Sequence, residues 1–234
     1  MISEELRLMA YLGRQHLRAP LPVALGRAKY AAAQGARVAW YMAQYALARR
    51  LSGPIDAPGA PKFQPARPEG DSARIRAAFL ALFAKDRANI EAGLYPAPHD
   101  VEPGDAVAAL ADSARFFADL PKVDARRRAR VNAEVRARNE NGGRFPAYYL
   151  QNFHYQTDGW LSPRSAALYD TQVEILFGGG ADAMRRIALG VLMRALKGRD
   201  QRRCAHLDLG CGNGRFLQMI LEARPKLRVS GLDL

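Results

Sequence analysis

The chain has 234 residues, 49% of them apolar and 25% charged, enough for one large domain or two small ones around a buried core. It holds no uncharged apolar stretch of about 18 residues. Its two cysteines, Cys204 and Cys211, are too few for a disulfide scaffold, so neither a transmembrane helix nor a small secreted framework is expected. A surplus of 35 Lys and Arg over 23 Asp and Glu leaves a net charge of +12; it admits nucleic acid, an anionic membrane surface or a phosphorylated substrate as partner and chooses none of them.

The opening MISEELRLMA carries acids where a signal peptide has positive charge, so a cytoplasmic location is expected. Residues 1–52 read as helical. Ser3 can cap a first helix bearing Leu6, Met9 and Ala10, which Pro20 and Pro22 interrupt. The alanine-rich stretch after them carries Val38, Tyr41, Met42 and Tyr45 at helical spacing, among Arg37, Arg49 and Arg50. Packing on the rest of the protein is the expectation, and a basic helix lying on a membrane surface is the alternative. Residues 53–70, with Pro54, Pro58, Pro61, Pro65 and Pro68, form an extended linker or loop.

Residues 71–147 return to helix. Ile75, Phe79, Leu82 and Phe83 make one stripe, ending near Gly93 and Pro96; Val107, Leu110, Ala114 and Phe117 make the next, stopped by Pro121. The basic residues that follow, from Lys122 through Arg126, Arg127, Arg128 and Arg130 to Arg138, spread around a helical cylinder. That spread predicts a solvated surface ahead of a nucleic-acid face.

Residues 148–200 form a helical cap. The segment opens on YYLQNFHYQTDGW, then Ser162 and Pro163 start a helix with Ala166, Tyr169, Val173 and Leu176. Gly178, Gly179 and Gly180 end it, and a second helix from Ala181 to Leu196 carries Met184, Ile187, Leu192 and Leu196. Residues 201–234 differ in kind. A short strand (CAHLDL, Cys204–Leu209) runs into the turn GCGNG, a helix with Phe216, Leu217, Ile220 and Leu221, and a second strand from Leu227 to Leu234. The expected fold class is α/β: a mostly helical N-terminal region followed by the first βαβ unit of an incomplete Rossmann-like domain.

Two nucleotide-binding patterns compete for the glycine turn. A dinucleotide fingerprint requires G-x-G-x-x-G, and Arg215 stands where its third glycine should be. What the sequence has is an acid followed by alternating glycines, Asp208, Gly210, Gly212 and Gly214, with Asp233 roughly 20 residues further on at a strand tip. A ribbon without Cβ atoms lets backbone approach a ligand closely. A carboxylate at that strand end can accept two ribose hydroxyls. The plain alternative is a tight turn and a solvated strand-end acid.

HLDLGCGNGRFL resembles motif I of the class I S-adenosylmethionine-dependent methyltransferases, and GLDL resembles the end of their second strand. The resemblance implies that S-adenosylmethionine is the cofactor. It also implies that Asp208 organises the site beside the methionine moiety, that Gly210, Cys211, Gly212, Asn213 and Gly214 form the loop beneath it, and that Asp233 is the ribose ligand. NFHYQTDGWLS and FGGGADAMRR extend the likeness over residues 148–234, to a group of poorly characterised bacterial methyltransferases. Helices ahead of motif I in such enzymes often cover the cofactor, which makes Tyr155, Gln156, Asp158 and Trp160 candidates for a lid or acceptor wall. His154 is a candidate base, with a partly buried, hydrogen-bonded histidine as the alternative.

No metal site is expected, because neither His206 nor Cys211 has partner ligands at workable spacing. Because the sequence stops one residue past Asp233, it is expected to be the N-terminal part of a longer enzyme that binds cofactor weakly or not at all alone. The function so expected is methyl transfer to an unidentified nucleophilic acceptor. The alternatives are an NAD(P)- or FAD-dependent oxidoreductase and a non-catalytic RNA- or membrane-surface-binding module.

Overall fold

The computed structural model describes residues 23–53, 66, 70–98, 105–137, 145–146, 148–159 and 161–233; the helix expected after Ser3, most of the proline-rich segment and Trp160 lie outside them. The described chain is mostly helical, with one two-stranded parallel sheet. Helix α1 (Val23–Leu51) begins just past the proline pair. Helix α2 (Ser72–Glu91) is capped by Asp71, whose carboxylate accepts the Ala73 N–H at 2.8 Å, and it ends before Gly93 at φ +68°. Then come α3 (Asp105–Ala129), the short α4 (Glu134–Ala137), a 3-10 turn at Phe153–Tyr155, α5 (Pro163–Leu176) and α6 (Ala181–Ala195). Strand β1 (Ala205–Leu209), helix α7 (Arg215–Ala223) and strand β2 (Arg228–Leu232) complete the order. Ser162 caps α5 as expected, its Oγ accepting from the Ser165 N–H at 3.1 Å with Pro163 in the first turn. No helix among the described residues is long and apolar enough to cross a membrane.

Pro121 does not stop its helix; α3 runs through it and ends at Ala129, beside Arg130 at φ +55°. A proline inside a helix removes one hydrogen bond and crowds the preceding turn. Here the turns around it are pinned by outside partners. Buried Asp119 accepts from Thr157 Oγ1 at 2.8 Å and from Arg164 at 3.3 Å. Buried Asp124 accepts from Arg127 and Arg128, each at 2.6 Å.

Helical spacing located these helices but misplaced several inward faces. Ile75, Val107, Leu110 and Leu176 are exposed, as are Met42, Tyr169 and Met184. The buried positions are instead Asp86 and Asn89 on α2, Ser113, Asp119 and Asp124 on α3, Leu168, Thr171, Glu174 and Ile175 on α5, and Arg186, Leu189 and Met193 on α6. Polar groups occupy the interior because each helix supplies the other's partner. Arg186 Nη2 lies 2.8 Å from Asp86 Oδ2, and the Tyr30 and Tyr95 hydroxyls donate to the same carboxylate at 2.7 and 2.8 Å. Burial, then the negative charge of Asp86, hold both tyrosines well above the ordinary phenol value.

Gly178, Gly179 and Gly180 join α5 to α6 under α1. Gly179 has φ +82°, and a Cβ there would stand 3.1 Å from the backbone of Arg37 and Val38. Gly179→Ala therefore combines a left-handed strain with a backbone clash. It is expected to destabilise the fold by about 1–3 kcal/mol, read as a lower urea midpoint; an unchanged midpoint would contradict this close approach.

One apolar core joins the helices to the sheet. Leu189 and Met193 of α6 pack with Met219 and Ile220 of α7, with Leu227 and Tyr95, and with half-buried Phe216, Leu217 and Val229. On α7, Phe216, Leu217 and Ile220 face this core as expected; Met219 is buried in it in place of the expected Leu221. The strands pair parallel in the register Asp208 to Gly231 and Leu209 to Leu232. Among the described residues one side of this ladder carries the core, while Leu207, Leu209 and Leu232 on the other side are 59%, 69% and 61% exposed. Parallel sheets ordinarily bury both faces.

Candidate functional site

The turn between β1 and α7 is built by its glycines. Gly210, Gly212 and Gly214 have φ of +80°, +55° and +79°, a region where a Cβ collides with backbone. A Cβ added at any of the three would meet nothing within 4 Å. The glycines are therefore set by backbone conformation, and the space in front of them is open. Gly214 ends the turn as the N-cap of α7.

The turn closes on the end of β2. The Gly210 and Cys211 N–H groups donate to the Leu232 carbonyl at 2.7 and 3.3 Å, and the Gly212 N–H donates to Asp233 Oδ2 at 2.7 Å. Gly231 makes room for this closure, since a Cβ there would lie 2.6 Å from Cys211 Sγ and 2.7 Å from Leu217 Cδ1. Asp208 sits half-buried on β1, opposite Gly231 in the ladder. Of the residues singled out in the sequence, Gly210 to Gly214, Asp208 and Asp233 thus meet at one end of the sheet.

The segment ahead of α5 is a separate, tightly tied piece. His154, Tyr155 and Asp158 all have positive φ, at 51°, 61° and 62°, a concentration of left-handed non-glycine residues within five positions. Gln156 Nε2 donates to Gln172 Oε1 at 2.7 Å, Ser162 Oγ donates to Asp158 Oδ2 at 3.1 Å, and the Tyr155 carbonyl accepts from Arg126 at 3.3 Å. His154 is exposed. The alternative of a partly buried histidine is therefore not met. Leading into this piece, Phe145, Tyr149 and Phe153 form a ladder of rings with centroids 5.7 and 6.1 Å apart, and Tyr148 stands exposed beside it. Partial burial, then the negative charge of Asp233, push the Tyr149 phenol above its ordinary value. Tyr149 was not singled out in the sequence, where only its place in an aromatic run marks it.

The loop's own side chains reach into the helices. Asn213 Nδ2 donates to Asp170 Oδ2 at 2.8 Å, while Asn213 Oδ1 accepts the Arg215 N–H at 3.3 Å. Arg215 Nη2 donates to Asp182 Oδ2 at 2.5 Å. Buried Asp182 also receives Arg185 at 2.7 Å and Arg37 at 3.3 Å. Its own N–H donates to Glu174 Oε1 at 2.8 Å, and Arg37 lies 2.9 Å from that same oxygen. Asp182 was missed because an Asp in a first helical turn reads as an ordinary dipole-facing charge, and Asp170 and Glu174 because a carboxylate within a helix reads as solvent-facing.

The arginines at the end of α3 are drawn into internal bonds. Arg126 donates to Glu134 at 2.8 Å and to Thr157 at 3.0 Å, and Arg127 and Arg128 hold Asp124. No cluster of three metal-ligating side chains occurs among the described residues. Comparison with family models, with curated proteins and with solved structures gave no match.

Proposed function

We propose that this chain carries the nucleoside-binding part of a class I S-adenosylmethionine-dependent methyltransferase, built on the opening βαβ unit of a Rossmann-like domain. The observation that supports it most is the open loop: three left-handed glycines facing empty space, closed by a backbone N–H onto the carboxylate of Asp233. These residues fit the group. In this reading the ribose hydroxyls donate to Asp233, whose orientation the Gly212 N–H already fixes. Gly210, Cys211, Gly212, Asn213 and Gly214 lie beneath the amino-acid end, and Asp208 organises the methionine side.

The bound cofactor would supply a methyl group made electrophilic by its sulfonium. What the chain's own residues add is position. A shaped, rigid loop fixes the donor so that an acceptor can approach in line, which removes translational and rotational freedom from the barrier. The strained segment holding His154, Tyr155, Gln156 and Asp158 is proposed to border the acceptor side, since backbone strain of this kind concentrates at functional sites. The acceptor itself is a nucleophilic N, O, C or S atom.

Ligand-observed saturation-transfer NMR with millimolar S-adenosylhomocysteine tests this reading and detects weak binding. The 234-residue chain is expected to transfer saturation to the ribose and adenine protons. Asp233→Ala is expected to weaken binding about tenfold or more, the loss of a charged hydrogen-bond acceptor, while leaving the far-ultraviolet circular dichroism unchanged. Equal transfer in both proteins, or none in the parent, sinks the proposal.

A further inference from the structure

We infer that Asp170 of α5 and Asp182 of α6 are positioning residues for the glycine loop, so that the helical region, and not the βαβ unit alone, sets the loop's conformation. Two contacts leave the loop at its exit. Asn213 bridges Asp170 and the Arg215 N–H, and Arg215 carries its guanidinium onto Asp182. Between them these contacts fix both sides of Gly214, the left-handed residue at which the turn becomes a helix.

Asp182 is suited to the task because it is buried and held from several sides. It is 2% exposed, its backbone N–H is tied to Glu174, and Arg37 and Arg185 hold the same carboxylate from α1 and from its own helix. Asp170 is more exposed and is shared with Arg185 at 3.4 Å. A chain of charges therefore runs from α1 through the start of α6 to the first residue of α7. Loosening of the helices would be felt as loosening of the loop. What the loop binds rests on the nucleoside reading above; the anchoring does not.

Asn213→Asp separates anchoring on Asp170 from local acceptance of the Arg215 N–H. If Asn213 served only to accept that N–H, aspartate would do as well or better, since its oxygen accepts equally and its charge suits a helix N-terminus. If it anchors the loop, the substitution sets two carboxylates against each other. Amide hydrogen exchange on the full chain is the measurement. Asn213→Asp and, separately, Asp170→Ala are expected to speed exchange at Gly212, Gly214 and Arg215 about tenfold, the effect of losing one hydrogen bond. Exchange at Leu189 to Met193 stays unchanged. Adding Asp170→Asn to Asn213→Asp restores a donor–acceptor pair and returns the loop to within about twofold of the parent.

Loop exchange that is unaltered or slowed by Asn213→Asp overturns the inference, as does failure of the double variant to recover. Saturation transfer to S-adenosylhomocysteine is expected to follow the same order. Absence of any ligand signal in the parent, with the exchange pattern as expected, overturns the nucleoside reading and leaves the anchoring in place.

Discussion

Asp86→Ala is expected to destabilise the protein by about 3–5 kcal/mol, the range for removing one partner of a buried ion pair. The carboxylate is fully buried and receives Arg186 through both Nε and Nη2. Two tyrosine hydroxyls, from α1 and from the segment after α2, end on it as well. Alanine would strand a buried guanidinium together with the hydroxyls of buried Tyr95 and half-buried Tyr30. The partner test is a double change: Asp86→Leu with Arg186→Met removes both charges and should restore much of the loss, since apolar replacement of a buried pair is often neutral. Thermal and urea unfolding followed by circular dichroism read both. An Asp86→Ala melting temperature within a few degrees of the parent would show that the pair contributes little.

The second large effect is at Asp182, and it depends on pH. Asp182→Asn is expected to cost about 3 kcal/mol at neutral pH, because Arg37, Arg185 and Arg215 lose the charge they share. Burial by itself would raise this carboxyl. The hydrogen bond and charge of Arg215, then Arg37 and Arg185, overcome it and hold the group well below the usual carboxylate range. A depressed folded value means a contribution present above the unfolded value, about 4, and lost as the pH falls below it. Glu174 has the opposite sign. Its burial outweighs Arg37 and raises it, so its protonated form favours the fold and that benefit fades as the pH rises through the raised value. The parent is expected to lose stability steeply below about pH 4. Asp182→Asn should give a shallower acid limb from a lower plateau, and parallel acid limbs in melting temperature against pH would refute the assignment.

The residues that could be read from sequence and those that could not differ in a physical way. The turn at Gly210 to Gly214 was legible because alternating glycines answer a local demand, positive φ, that no other residue meets cheaply. Phe216, Leu217 and Ile220 of α7 were legible as inward because apolar residues at helical spacing mark one side, although the buried Met219 was not. The helices ahead of it were not, since a charge within a helix reads as solvent-facing until its partner is placed. For Asp86 that partner lies 100 residues away, at Arg186. Pro121 misled for a related reason: the contacts that hold its helix together come from Thr157 and Arg164. Arg215 was noticed only as the residue that spoils a dinucleotide fingerprint, and its side chain proves to be the loop's link to α6.

The exposed leucines of the sheet have a practical consequence. Leu207, Leu209 and Leu232 give this 234-residue chain a sticky apolar ledge, the kind of surface that environment-sensitive dyes report in partly melted proteins. Dye fluorescence would start high on the folded chain and blur its transition. Unfolding of this protein is therefore better followed by backbone signals than by hydrophobic probes.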